Sequence, residues 1–190
     1  AIDDQLANEL KDFPNAVWST YGMTETLSHI ALRRLNGKDA SDWYTPFYNV
    51  SIRLSEEGTL IIHAPNVCAD ELITNDIAEI NKEEKFRILG RKDNTINSGG
   101  VKIQIEQVEA TLKEHLDIPF QITARKDAKF GEIVVLIYNK VKDEALVRQV
   151  CEEALPTYWV PKAYIAVDEL PLTGTGKPDR ATARRIANRE

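Results

Sequence analysis

Four short segments carry side chains suited to meeting a phosphate, a ribose or a metal ion, and they follow one another along the chain. The first is Tyr21-Gly22-Met23-Thr24-Glu25-Thr26. A glycine there permits a tight turn and a close backbone approach to a ligand. A hydroxyl followed by a carboxylate could hold a phosphate oxygen and a Mg²⁺ ion together, because Mg²⁺ usually takes one or two carboxylates plus substrate phosphates. The same residues also read as a helix start with Thr24 as its cap. The second is Leu72-Ile73-Thr74-Asn75-Asp76. An acid at the end of a strand can accept from both hydroxyls of a ribose, although an ordinary turn reads the same way. The third runs from Phe86 through Gly90-Arg91-Lys92-Asp93 to Ser98-Gly99-Gly100. Its Arg91 offers a rigid fork of donors for ribose or phosphate oxygens. Its glycine pair gives a flexible stretch with no side chain to block a narrow ligand, and a plain linker and loop is the alternative.

The fourth segment, Pro171-Leu172-Thr173-Gly174-Thr175-Gly176-Lys177-Pro178-Asp179-Arg180, puts one lysine on a glycine-rich tip between prolines. It is not a Walker A loop: the required first glycine falls at Pro171, and Pro178 stands where Ser or Thr belongs. Such a tip suits presenting an ammonium to a site built elsewhere, or it is simply an exposed turn lysine.

Other chemistries find no support. His29, His63 and His115 are scattered without metal-ligand spacing, and no GxSxG elbow occurs. Cys68 and Cys151 are far apart and form no CxxC, which argues against a zinc site or disulfide framework. Two isolated thiols fit a reducing, cytoplasmic setting. The chain has 190 residues, 24 Lys+Arg against 30 Asp+Glu and a net charge of −6, which argues against a nucleic-acid partner. Arg180, Arg184, Arg185 and Arg189 cluster at the end of the chain and read as a solvated helix face. No apolar run approaches the roughly 20 residues of a membrane span, and no signal-peptide pattern opens the chain.

The elements that must position these segments are short. Ile2, Leu6 and Leu10 have helical spacing, with Pro14 just beyond. Residues 16–20 read as a buried strand and 33–49 as irregular. Strands are expected at Val50–Leu54, Thr59–His63, Glu71–Thr74, Ile77–Asn81 and Phe86–Leu89, a meander with a turn at Glu57-Gly58. Beyond Asp93 the pattern changes. Ile105, Val108, Leu112 and Leu116 form a helical stripe. Phe120–Ala124 and Glu132–Tyr138 read as strands around a turn at 129–131, the second apolar enough to be central. A helix carrying Leu146, Val147, Val150 and Ala154, a strand at Tyr164–Val167 and a last helix over 179–189 complete the chain. The fold class is α+β. Residues 94–190 could form a small domain, whereas the first 90 or so make a poor core alone.

In this order and spacing, the four segments resemble the adenylate-forming superfamily of acyl-CoA synthetases, carrier-protein adenylation domains and luciferases, over about residues 16 to 180. The resemblance implies that residues 1–92 are the C-terminal portion of the large adenylation domain, ending in its strand meander. Residues 93–190 would be the small lid domain, with the hinge at Asp93. It implies an enzyme, an acid–thiol ligase with two half-reactions: a carboxylate attacks the α-phosphate of ATP, then a thiol, coenzyme A, displaces AMP.

Carried over by motif, Gly22, Met23 and Thr24 line the adenine and phosphate site. Glu25 acts on Mg²⁺, and Asp76 and Arg91 act on the ribose. Lys177 is the adenylation lysine, and Gly99 and Gly100 border the pantetheine path of coenzyme A. The implied partners are a small carboxylic acid, ATP and coenzyme A. Two departures stand out: Thr74-Asn75-Asp76 replaces the usual TGD, and Asn97 stands where some members carry lysine. The family's glycine-rich phosphate loop is absent. With Ala1 first and Met23 the only methionine, the chain reads as a piece of a longer protein, inactive alone for full adenylation. The alternatives are another aryl- or acyl-CoA ligase or a carrier-loading adenylation domain and, in another class, a non-catalytic nucleotide-binding module.

Overall fold

A computed structural model of the protein describes Leu6, residues 9–140 and residues 143–189. Of the expected first helix, Ile2 lies outside the described residues, and the Leu10 N–H donates to the Leu6 carbonyl at 3.1 Å, one helical turn back. The chain is a mixed α/β structure, mostly strands, in two compact units that part between Lys92 and Asp93.

The first unit holds two antiparallel sheets. One is three-stranded, in the order β1 (Trp18–Gly22), β2 (His29–Arg34), β3 (Thr45–Pro46). The other runs β4 (Ser51–Leu54), β5 (Thr59–His63), β6 (Leu72–Ile80), β7 (Phe86–Arg91). A β-bridge between Tyr44 and Phe86 joins the two. Ile30, Ala31, Tyr44, Leu60, Ile62, Ala78 and Phe86 form the core between them. Strand β5 has neighbours on both edges, and four of its five residues are buried, as its run of β-branched and leucine side chains requires.

Three expectations need correction here. The stretch expected to be irregular contains β3, and β2 runs into it as far as Arg34. Two expected strands fuse into the single β6 through Thr74-Asn75-Asp76, because a bulge between Ile77 and Ala78 absorbs the break in alternation. Strand β1 is a mostly exposed edge rather than a buried strand; only Ser19 is enclosed, with its hydroxyl 2.9 Å from that of Tyr44.

The second unit is one sheet covered on both faces. Strand β11 (Gly131–Asn139) is its centre, antiparallel to β10 (Phe120–Asp127) along one edge. Its other edge pairs with the hairpin β8 (Thr95–Ser98)–β9 (Val101–Gln104) at one end and, in parallel, with β12 (Ala163–Val167) at the other. The parallel partner is reached by a crossover through helix α2 (Glu144–Ala154). Val134, Leu136 and Tyr138 face a core shared with α1 (Ile105–Lys113) and α2, while Ile133 and Val135 face Ala187 of α3 (Arg180–Ala187). Two covered faces explain why Ile133–Ile137 is apolar without alternation.

The β8–β9 hairpin escaped the sequence reading. Gly99-Gly100 is its two-residue turn, with φ of +58° and +86°, the left-handed pair that a tight hairpin of this length needs. It is a defined turn, not a slack stretch.

Candidate functional site

In the first unit, Tyr21, Asp76 and Arg91 converge. Asp76 and Arg91 are opposite one another in the β6–β7 register. Asp76 sits inside β6 beside its bulge, not at a strand end as expected. Its Oδ2 accepts the Tyr21 hydroxyl at 2.6 Å, and its Oδ1 lies 3.4 Å from Arg91 Nη1. Buried Thr74 adds its hydroxyl as acceptor for the Asp76 N–H, at 3.1 Å. The Tyr21 ring is wedged edge-on to Phe86 at 5.1 Å and tilted against Tyr44 at 5.8 Å, so its hydroxyl is aimed by the core. Burial, then the Asp76 hydrogen bond and charge, push the Tyr21 phenol well above its ordinary range; Arg91 and Thr74 oppose this more weakly. The phenol is therefore a fixed donor.

The Asp76 side chain keeps 16% of its surface and that of Arg91 50%. An ionised carboxylate has about four acceptor positions, and two of those on Asp76 are engaged with Tyr21 and Arg91. The remainder could take a vicinal pair of hydroxyls.

Next to this cluster, residues 24–26 form a 3-10 turn. The hydroxyl that closes it belongs to Thr26, not Thr24: buried Thr26 Oγ1 accepts the Met23 N–H at 3.1 Å and sits 2.7 Å from the Ser28 carbonyl. Thr24 and Glu25 are exposed, and among the described residues no hydrogen bond holds either side chain. Met23 packs against the core from its edge. Gly22 has a reason of its own: a Cβ there would stand 2.5 Å from the Ser28 carbonyl oxygen, beside the bulge of β1. The close approach that this glycine permits is to its own chain.

No group of three or more His, Cys, Asp or Glu poised to hold a metal occurs among the described residues, and the three histidines are exposed. A lone exposed carboxylate at Glu25 fits a Mg²⁺ ion that takes most of its ligands from phosphates and water, and no other kind of metal site.

Lys92 Nζ meets Glu57 at 2.7 Å in the first unit. Asn94 binds Glu106 of α1, and Thr95 accepts from Gln104 at 2.8 Å in the second.

In the second unit, Lys177 lies on an exposed hairpin closed by the Leu172–Pro178 bridge and by the Thr173 N–H donating to the Lys177 carbonyl at 2.8 Å. Among the described residues its ammonium pairs with no acid. The base of the hairpin, by contrast, is locked. The Pro171 carbonyl accepts from the Asp179 N–H at 3.0 Å and from Gln121 Nε2 at 2.8 Å. Asp179 caps α3 through the Thr182 N–H and hydroxyl, at 3.0 and 2.7 Å. Backbone and side-chain hydrogen bonds from Thr182 hold the Asp179 carboxyl below its usual range.

Arg180 forks onto both oxygens of Glu109 at 2.6 Å. Burial disfavours its charge, but the Glu109 hydrogen bonds and charge outweigh this and raise its pKa. Arg180 and Arg184, the latter paired with Glu132, are thus not part of a plain solvated face. Sequence reasoning missed Tyr21, Thr26, Gln121 and the Glu109–Arg180 pair. Only Tyr21 left a signal, two places after Ser19 on an alternating strand.

Residues 107–177 match the family model described as the AMP-binding enzyme C-terminal domain. The chain is 26% identical over 183 residues to a 2-succinylbenzoate–CoA ligase of Listeria monocytogenes serotype 4b (strain F2365), covering 85% of this chain and 39% of that protein. Among solved structures it is 33% identical to an acyl-CoA synthetase (AMP-forming)/AMP-acid ligase II-like protein from Dyadobacter fermentans DSM 18053, with a TM-score of 0.51 over 96% of this chain and 54% of that one. An o-succinylbenzoate CoA synthetase from Bacillus subtilis shares the fold at 23% identity and a TM-score of 0.75, over 94% of this chain and 43% of that one. The chain therefore spans well under two thirds of the proteins it matches. With four ordered motifs, a matching C-terminal domain over residues 107–177 and these likenesses, the chain belongs to the adenylate-forming superfamily, with similarity to the 2-succinylbenzoate–CoA ligases.

Proposed function

We propose that the complete protein carrying this chain is an ATP-dependent acid–CoA ligase acting on o-succinylbenzoate. The carboxylate attacks the α-phosphate of ATP, an acyl adenylate forms and pyrophosphate leaves. The thiol of coenzyme A then attacks the acyl carbon and AMP leaves. The observation that carries this reading is an ammonium, Lys177, that pairs with no acid among the described residues and stands on an exposed hairpin with a locked base, inside a domain of this family.

In this reading Lys177 bridges ribose and α-phosphate oxygens as charge builds in the transition state. A preorganised donor aimed at developing charge is worth most where it needs no reorganisation. Asp76 accepts from the ribose hydroxyls, and Arg91 contributes to the same contact. Gly22, Met23 and Thr24 line the adenine and phosphate side, and Glu25 is the residue that would hold Mg²⁺, which neutralises phosphate charge when bound. Asp93 is the hinge between residues 1–92 and 93–190, and Gly99-Gly100 border the pantetheine path. The YGMTET and PLTGTGKPDR forms, together with the identity to a 2-succinylbenzoate–CoA ligase, support the choice of acid.

The test is ATP–pyrophosphate exchange by the full-length protein with o-succinylbenzoate and a panel of other acids. Exchange with o-succinylbenzoate, followed by its coenzyme A thioester, is the expected result. Exchange with another acid would reassign the substrate. Transfer to a carrier-protein thiol in place of coenzyme A would make it a carrier-loading domain. Exchange with no acid would leave a nucleotide-binding module.

A further inference from the structure

We propose that Glu109 is a positioning residue for Lys177, acting through Arg180. The inference rests on the reading of Lys177 as the adenylation lysine and adds to it the residue that sets where the lysine is held.

Among the described residues, the hydrogen bonds of residues 173–178 stay within the hairpin: Thr173 N–H to the Lys177 carbonyl, Lys177 N–H to Thr173 Oγ1 at 3.1 Å, Gly176 N–H to the Thr173 carbonyl at 2.9 Å. Where the ammonium points is therefore decided at the base. Arg180 is the first residue of α3, three positions after Lys177. Its two Nη atoms meet the two Glu109 oxygens at 2.6 Å each, and Nη1 also reaches the Ile122 carbonyl at 3.2 Å. Glu109 Oε1 in turn accepts the Ile122 N–H at 2.8 Å. One carboxylate on α1 thus grips strand β10 and the root of the lysine hairpin together.

Stability alone does not call for this arrangement. The side chains of Arg180 and Glu109 keep only 25% and 13% of their surface. A desolvated ion pair is commonly no more stabilising than an apolar pair of similar volume, whereas a forked pair fixes orientation as well as distance. Gln121 points the same way. Its amide nitrogen holds the Pro171 carbonyl on the other limb of the hairpin, while its oxygen is buried without a partner. An unmatched buried acceptor costs stability, and the gain is a second fixed point at the base. Together the two contacts fix both limbs of the hairpin that carries Lys177. Misplacement of a catalytic group by about 1 Å can cost around a hundredfold in rate.

The experiment uses the full-length protein and measures both half-reactions. Glu109→Gln keeps shape and the acceptor for Ile122 but loses the charged fork. It is expected to lower kcat for acyl-adenylate formation about a hundredfold. KM for ATP and thioester formation from supplied acyl adenylate stay close to wild type, while Tm falls because Arg180 is left without its anionic partner. Arg180→Lys keeps the charge and loses the fork, and carries the same expectation should Glu109→Gln fail to fold.

Equal loss of both half-reactions in step with a lowered Tm would mean a merely structural clamp and overturn the inference. So would full adenylation by a folded Glu109→Gln or Arg180→Lys. Lys177→Ala is the control. If it keeps its adenylation rate, the reading of Lys177 itself fails. If it loses that rate while Glu109→Gln does not, only the positioning role fails.

Discussion

The Tyr21–Asp76–Arg91 cluster and the Lys177 hairpin solve opposite problems. In the first, each group is already braced: the phenol on the carboxylate, the carboxylate on the arginine, the ring against Tyr44 and Phe86. In the second, the Lys177 ammonium pairs with no acid among the described residues and only its foundation is held, by Glu109, Gln121 and the Asp179 cap. A group that binds a ligand in every state of a reaction gains from a rigid cradle, because less freedom is lost on binding. A group wanted in one step only gains from being presented on a stiff arm and left unpaired, since an internal partner would have to be broken first. Substitutions in the two regions should therefore differ in kind.

The largest effect expected is at the arm. Lys177→Ala should cost about 10²–10³ in the rate of acyl-adenylate formation. It should leave Tm unchanged and spare thioester formation from supplied acyl adenylate. Equal loss of both half-reactions would erase the distinction between arm and cradle. Next comes the cradle. Asp76→Asn removes a charged acceptor worth about 1.5–3 kcal/mol, so nucleotide affinity should fall about tenfold to a hundredfold, read by calorimetric titration. Unlike Lys177→Ala, it should also lower Tm, because the Tyr21 phenol loses its anionic partner. An Asp76 variant with unchanged ATP affinity would remove the ribose role.

How far these regions were legible in the sequence follows the same division. The motifs announce themselves because they set hydroxyl and charged side chains beside glycines at short spacing. Central strands such as Thr59–His63 and Gly131–Asn139 are legible because residues on both of their faces are buried and so must be largely apolar. Strand β2 was not, since His29 and Arg33-Arg34 interrupt its apolar stretch and it is held by pairing to β1 and β3. The β8–β9 hairpin should have been found: Ile96 and Ile103 face each other, three places before Gly99 and three after Gly100, the spacing a two-residue loop imposes. Glu109 and Arg180 could not, because 71 residues separate them and no local pattern marks an acid on a helix for an arginine so distant.

A smaller effect tests how firmly the cradle is set. Burial and Asp76 raise the Tyr21 pKa, so the folded protein keeps a proton that the unfolded chain releases. A raised pKa gives stability that is complete below the unfolded value of about 10 and is lost as pH rises beyond it. Tyr21→Phe should cost about 1 kcal/mol near neutral pH. Its urea-unfolding free energy should then fall less steeply than wild type above about pH 10. Parallel alkaline limbs would mean that the phenol is not held as inferred.

The smallest effect separates two adjacent glycines. Both have positive φ, so alanine at either should cost about 1 kcal/mol in backbone strain. At Gly99 the new Cβ would also stand 3.2 Å from the Phe130 ring, whereas at Gly100 it would meet nothing within 4 Å. By stability alone, Gly99→Ala should be the worse of the two, by a few tenths of a kcal/mol. What a methyl at Gly100 obstructs must come from outside this unit's own atoms. If pantetheine passes there, Gly100→Ala should slow thioester formation several-fold while leaving acyl-adenylate formation at the wild-type rate. A Gly100→Ala protein that slows both half-reactions alike, or neither, would reduce the glycine pair to the turn chemistry of its hairpin, with no part in the passage of coenzyme A.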